Sequence, residues 1–351
     1  MEEKASSSSS NSYFHYQGIS TLLIHDRTRN NVHGAFTPLP PPPPQNPLPD
    51  DPAPTTTSGV THLSLPGDSS RLFGIMTSAE GPSLFRKLLS RSSQQVLLSI
   101  GRTVTSDRTS FLALATHPTG SITVLSLLQS SVEVDNLIFS AVCDNFFDLM
   151  ISKHGHNMII PTLRAVDRSK KEILYAMAVD YTLNLATQEI GCVALNEFLQ
   201  EMRGVHRNRF FEVVAMNATW LAQDPHGNFV VQHVLTLENP SATGRIATKL
   251  KGSFGRLSVQ RLGSYVVEKC LRSPYGREQV LEELRERSDQ WIRVAKDQYG
   301  NFVAQSTLKI LKEMKSPLYE ELVNMLKPHF QEMNLGYGRR TLDTIAKLGV
   351  P

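Results

Sequence analysis

The sequence predicts an all-α fold, an α-solenoid of about seven to eight helical repeats behind a low-complexity arm. Three observations carry this. Glycines recur in one phase at Gly81, Gly120, Gly155, Gly191, Gly227, Gly263 and Gly300, the last five spaced 36, 36, 36 and 37 residues apart. Six residues before each stands an aliphatic side chain: Ile75, Leu114, Leu149, Leu185, Leu221, Leu257 and Val294. Eight residues after each stands a leucine: Leu89, Leu128, Leu163, Leu199, Leu235, Leu271 and Leu308. A period near 36 with helical spacing of apolar residues is the signature of stacked supersecondary units that bury one continuous core.

The arm comes first in the chain. Residues 1–66 contain a serine run at 6–10 and the proline cluster "PLPPPPPQNPLPDDPAP". Such composition favours extended polyproline segments and cannot bury a core, so the expectation is a disordered, solvated tail. The arm carries Lys4, Arg27 and Arg29 against Glu2, Glu3, Asp26, Asp50 and Asp51, a balance of −2, which leaves +5 on the remainder of a chain whose formal charge is +3. A mild positive balance permits a nucleic-acid partner without demanding one. Cys143, Cys192 and Cys270 are few, odd in number and far apart, which argues against a disulfide framework or structural zinc and for a reducing compartment. No signal-peptide core is read at the start and no run of about 18 apolar residues follows, so no membrane span is expected.

The repeat domain is placed at 67–351. In each unit an apolar helix precedes the glycine, as in "FFEVVAMNATWLAQD", the glycine marks a break, and a second helix follows, as in "NFVVQHVLTL". The last unit, "NLGYGRRTLDTIAKL", lacks the leucine at +8 and reads as a C-terminal cap over about 328–351. Asp224 and Asp297, both three residues before a marker glycine, suit turn or helix-end roles. His154 and His156 offer only two ligands, and His154 fills the same repeat position as His226 and Tyr299, so no metal is expected. "PYGREQ" at 274–279 is out of phase and reads as a turn before a helix start. No phosphate loop, HExxH or GxSxG element is present, so no catalysis is expected.

On a helical wheel of "GNFVVQHVL", Asn228 and Gln232 lie about 40° apart with Phe229 beside them, while Val230, Val231, Val234 and Leu235 form the buried side. The next unit reads "GSYVVEKCL", with Ser264, Tyr265 and Glu268 in those positions, and the one after restores Asn301, Phe302 and Gln305. A constant apolar frame with a varying polar pair points to a recognition surface facing outward. The bland alternative is a solvated helix face, with Glu268 paired to Lys269 or Arg272.

"GNFVVQHVL", "GSYVVEKCL" and "GNFVAQSTL", in that order and followed by "YGRRTLDTIAKL", resemble the Pumilio (PUF) family of RNA-binding repeat proteins, specifically in the last four units and loosely in the first three. The resemblance implies a crescent of three-helix repeats, each reading one base of single-stranded RNA from its second helix, with the RNA antiparallel to the repeats. It implies uracil for the pairs Asn301/Gln305 and Asn228/Gln232, guanine for Ser264/Glu268, and base stacking for Phe229, Tyr265 and Phe302. The C-terminal units then spell 5′-UGU. Cys192, Val193 and Asn196 resemble an adenine reader with a shortened side chain, which implies a weak preference. His156, Asn157 and Ile160, then Ser121, Ile122 and Leu125, then Pro82, Ser83 and Arg86 match no base-reading set. The family further implies a cytoplasmic, monomeric protein without cofactor that binds mRNA 3′ untranslated regions. It would regulate translation and mRNA stability, with protein co-regulators as partners. The alternative is a protein-interaction scaffold whose RNA specificity has decayed.

Overall fold

The computed structural model describes residues 69–349. The expected arm at 1–66 lies outside them. The described residues are helices joined by short turns, as the periodicity predicts, and each full unit has three helices, as the resemblance implies, one more than the two the periodicity marks. In the Gly227 unit these are Gly204–Met216, the short Ala218–Leu221 and Gly227–Thr236. The Gly263 unit repeats this as Pro240–Leu250, Phe254–Ser258 and Gly263–Arg272. The Gly300 unit does so as Arg277–Glu286, Ser288–Lys296 and Gly300–Glu313. In the Gly227 and Gly263 units the middle helix is one turn or little more, too short to leave a periodicity of its own. First helices pack on first helices and third helices on third helices, which makes two layers over one core.

The marker glycine does not break a helix; in the Gly227, Gly263 and Gly300 units it is the first residue of the third one, and in the Gly120 and Gly191 units that helix starts two residues earlier. Its role is close approach. A Cβ on Gly300 would stand 2.4 Å from the carbonyl oxygen of Val294, and one on Gly120 would stand 2.3 Å from that of Leu114. These carbonyls belong to the aliphatic position six residues upstream. The glycine and the aliphatic therefore recur together because one backbone rests on the other. The residue three before the glycine accepts hydrogen bonds from the same turn. Asp224 Oδ1 takes the amides of His226 and Gly227 at 2.9 and 2.7 Å, and Asp297 Oδ1 those of Tyr299 and Gly300 at 2.8 and 2.9 Å. Ser152 Oγ and His117 Nδ1 do the same for Gly155 and Gly120. The turn role expected of the two aspartates is what the structure shows.

Contacts one period apart tie neighbouring units. Glu283, almost fully buried, accepts from the amides of Gly252 and Gly255 at 2.6 and 3.1 Å and so satisfies the start of the preceding unit's middle helix. Trp291 is fully buried and donates Nε1–H to the carbonyl of Leu322 at 3.0 Å. Near both ends of the array a threonine three residues after the glycine donates across the boundary, Thr123 to Met76 O and Thr341 to Ala295 O. The Gly155 unit departs from the rule. Its third helix opens as a 3₁₀ turn, Gly155–Met158, before the α-helix Ile159–Ala165. Pro161 has no N–H to close an α-turn onto Asn157. The segment around "PYGREQ" is a turn that leads into the helix Arg277–Glu286, as expected.

The cap consists of Leu318–Leu326, a 3₁₀ turn at Lys327–His329, Phe330–Met333 and Arg339–Leu348. Its phase is set by Gly338, whose Cβ would meet Met333 Cβ at 2.9 Å, whereas one on Gly336 would meet nothing within 4 Å.

Candidate nucleic-acid interface

The third helices Gly227–Thr236, Gly263–Arg272, Gly300–Glu313 and Arg339–Leu348 lie side by side. At +2 from the glycine, Phe229 and Phe302 are 42% and 39% exposed, aromatic rings at the surface of the third helices. Tyr265 and Val193 hold the same position half-buried. The guanidinium of Arg340, at +2 in the cap, lies 5.4 Å from the Phe302 ring centroid. The +2 side chains thus form a row along the adjacent third helices.

The polar positions lie deeper than the wheel suggested. Asn228 and Asn301 are fully buried, and Ser264 and Glu268 are each only 4% exposed. Asn228 Nδ2 donates to the carbonyls of Asp224 and Pro225 at 2.9 and 3.0 Å. Asn301 Nδ2 donates in the same way to Asp297 and Gln298, both at 2.9 Å. Both amide hydrogens are therefore spent on the turn. The outward orientation expected of these asparagines is corrected: at the first turn of the helix a short side chain folds back over the incoming chain. The same clamp recurs at +1 elsewhere. Ser121 and Ser264 donate to Pro118 O and Arg261 O, and Cys192 Sγ to Glu189 O. His156 Nδ1 lies 2.8 Å from Ser152 O, which requires the proton on Nδ1.

The +5 side chains complete the site. Gln232 and Gln305 are half-buried, and each donates Nε2–H to the Oδ1 of its own asparagine, at 2.9 and 3.0 Å. Each glutamine keeps a second N–H, and its oxygen can accept from an outside donor. Glu268 stands between them in register. Its Oε2 accepts from Arg272 at 3.4 Å and from Ser306 Oγ at 3.2 Å. The expected Arg272 pairing exists, but the carboxylate is recessed between units and not a solvated surface charge. In the Gly191 unit Cys192 is 3% exposed, and burial, with smaller contributions from nearby carboxylates, pushes its thiol up to about 11. Asn196 Oδ1 is buried without a hydrogen-bond partner among the described residues. The +6 residues that touch these heads carried no signal in one sequence.

The sequence profile of the Pumilio-family RNA binding repeat matches residues 181–215, 217–250, 253–285 and 290–323. Those segments hold the four marker glycines from Gly191 to Gly300. Putative pumilio homolog 21 of Arabidopsis thaliana is 48% identical over 284 residues, which cover 79% of this chain and 55% of that protein, so the chain spans about half of that relative's length. Putative pumilio homolog 19 of the same plant is 33% identical over 296 residues, covering 82% of this chain and 90% of that protein. Among solved structures, the Puf4 RNA binding domain bound to the HO endonuclease RNA 3′ UTR recognition sequence superposes with a TM-score of 0.70 at 21% identity, over 79% of this chain and 88% of that one. With its repeat phase, its three-helix units and these relatives, the chain belongs to the Pumilio family of RNA-binding repeat proteins, a family of binders rather than enzymes.

Proposed function

We propose that the chain binds single-stranded RNA along its third helices and reads 5′-UGU-3′ with the Gly300, Gly263 and Gly227 units in that order. The observation that supports this best is the alternation at +5. Gln305, Glu268 and Gln232 share one register, each recessed beside a +2 ring. A glutamine head can accept from uracil N3–H and donate to a carbonyl of the same edge. Glu268 can accept the adjacent N–H groups of guanine in a charge-assisted pair. Asn228 and Asn301 fix the glutamine heads from below, and Phe229, Tyr265 and Phe302 stack on the bases, each contributing about 1–3 kcal/mol. Cys192, Val193 and Asn196 give the fourth base a weaker preference. The Puf4 structure carries a 3′ UTR RNA. By extension this chain acts on mRNA 3′ untranslated regions in the cytoplasm, as a monomer, and controls translation and mRNA stability with protein co-regulators. The domain is 67–351, with 1–66 as an arm.

Competition binding of an RNA containing UGU against the same RNA with UUU tests the reading; equal affinity for both sinks it. Ser264→Asn with Glu268→Gln should move the preference towards UUU. A second reading, a protein-binding scaffold, is favoured by the apolar +5 residues Leu125 and Ile160, which cannot hydrogen-bond to a base. It would be selected by absent RNA binding.

A further inference from the structure

The Gly300 unit and the cap each place one hydroxyl on the reader of the unit before them. Ser306, at +6 in the Gly300 unit, donates Oγ–H to Glu268 Oε2 of the Gly263 unit at 3.2 Å across 38 residues. Thr344, at +6 in the cap, donates Oγ1–H to Gln305 Oε1 of the Gly300 unit at 3.2 Å across 39 residues. These are the same contact at successive boundaries. Both donors are held in place. Thr344 is 6% exposed and also reaches the carbonyl of Arg340 at 3.0 Å, and Ser306 is half-buried.

We infer that Ser306 and Thr344 are positioning residues for base selection, each setting the head of the reader one unit upstream. The chemistry is specific to each head. Glu268 has two equivalent oxygens. A donor on Oε2 from the next unit, together with Arg272, fixes the carboxylate plane. Gln305 has two unlike ends. The Asn301 Oδ1 acceptor on Nε2 distinguishes them, and the Thr344 hydroxyl, whose proton is shared between Gln305 Oε1 and Arg340 O, braces the oxygen end from the next unit. A glutamine head braced on one side only would meet the uracil edge at a less defined angle. In the same register His233 follows Asn196, and there the arrangement is not closed. Asn196 Oδ1 and His233 Nε2 are both buried without a hydrogen-bond partner among the described residues. Asn196 is one methylene shorter than glutamine, and its head is left unset, in keeping with a relaxed fourth base.

This inference rests on the base-reading proposal, and its signature is a displacement by one unit. Fluorescence anisotropy with the full chain would compare a UGU RNA with single-base variants at each of the three positions. An inosine at the second position would test contact with the guanine 2-amino group. Ser306→Ala should reduce guanine-over-adenine selectivity at the second base about three- to tenfold, the worth of one hydrogen bond, and leave first-base selectivity unchanged. Thr344→Val should reduce first-base selectivity by a similar factor and spare the second. Ser306→Thr and Thr344→Ser, which keep the hydroxyl, should restore most of each. A purely structural role would weaken all RNAs alike and leave the ratios fixed, which would overturn the inference. So would a Ser306→Ala effect confined to the first base, the one assigned to its own unit. If the unmodified chain shows no preference for guanine at the second base, the base-reading proposal fails and this inference falls with it. If it does and the four variants keep its ratios, only the inference fails.

Discussion

Alanine at Gly300 should destabilise the array although alanine is the better helix former. The three atoms nearest to the added Cβ are all backbone: Val294 O at 2.4 Å, Val294 C at 3.0 Å and Val294 Cα at 3.0 Å. None can rotate away. To restore an ordinary contact near 3.4 Å, the helix must retreat by about 1 Å, and a gap of that size forfeits up to half of each dispersion contact it opens. Val303, Ala304 and Leu308, all fully buried on that helix, would lose contact together. The expected cost is about 2–3 kcal/mol, in the upper range for overpacking, against a propensity gain below about 1 kcal/mol at a first helical residue. Gly227 is the graded comparison. There the nearest atom is Leu221 Cδ2 at 2.7 Å, a side-chain end that can move, with the carbonyl at 3.2 Å. Gly227→Ala should cost about 1 kcal/mol or less. Gly244 is the opposite case: mid-helix, with nothing within 4 Å of a Cβ. Gly244→Ala should stabilise by about 0.5–1 kcal/mol. Urea unfolding followed by helical circular dichroism would rank the three midpoints at constant slope. A Gly300 variant as stable as the parent, or a reversed order of Gly300 and Gly227, would refute the close-approach account of the repeat glycine.

Trp291→Phe removes a buried donor and its bond to Leu322 O at the junction with the cap, so it should cost about 0.5–1.5 kcal/mol in the same denaturation assay. Burial, aided by the positive charge of Arg207, holds His233 below its ordinary imidazole value, so the unfolded chain binds a proton first as pH falls. Stability from this group is therefore full above about pH 6.5 and lost below it, and His233→Gln should flatten the midpoint between pH 7 and 5.5. RNA affinity should fall with salt at a log–log slope near −0.7 per neutralised phosphate, measured by titration at several ionic strengths, and a slope of zero would rule out backbone contacts.

The fold was legible because its constraints are local and repeated. Gly, the aliphatic at −6 and the leucine at +8 recur since one backbone contact and one core layer recur. Even so, Leu89 and Leu128 are only partly buried, and Phe85 and Leu127 carry the core there. A leucine position inherited from the better units overstates the packing of the early ones. The site was legible in angle but not in depth. A wheel assigns Asn228 to the polar side, yet it cannot show that the chain from Asp224 to Pro225 folds across the first turn and covers that side chain. Nor can a single sequence show that Ser306 or Thr344 reaches a reader in another unit, because separations of 38 and 39 residues leave no local trace.

The depth of the +1 residue separates two roles that the polar pair had merged. In six of the seven marker units, all but the one with Pro82, the +1 side chain is directed at a carbonyl three or four residues back. Serine, cysteine, asparagine and histidine all serve, because each offers a donor on a short stem. The fold therefore demands a donor at +1 whether or not the unit reads a base, and units such as Gly120 keep one beside an apolar Leu125. The +5 residue carries no such demand: it is Arg86, Leu125, Ile160, Asn196, Gln232, Glu268 and Gln305 in turn. Chemistry that varies freely on a fixed frame is where selection for a ligand can act. Polarity at +1 alone is thus a weak sign of reading, and the sign that counts is a polar +5 head held from below by +1 and from the side by the next unit. By that measure the Gly300 unit is a fully built reader, the Gly263 unit has its head set by Arg272 and from the side by Ser306, and the Gly227 unit has its head set by Asn228. The Gly191 unit has a polar head that nothing sets, which is why the message should be sharp for three bases and fade at the fourth.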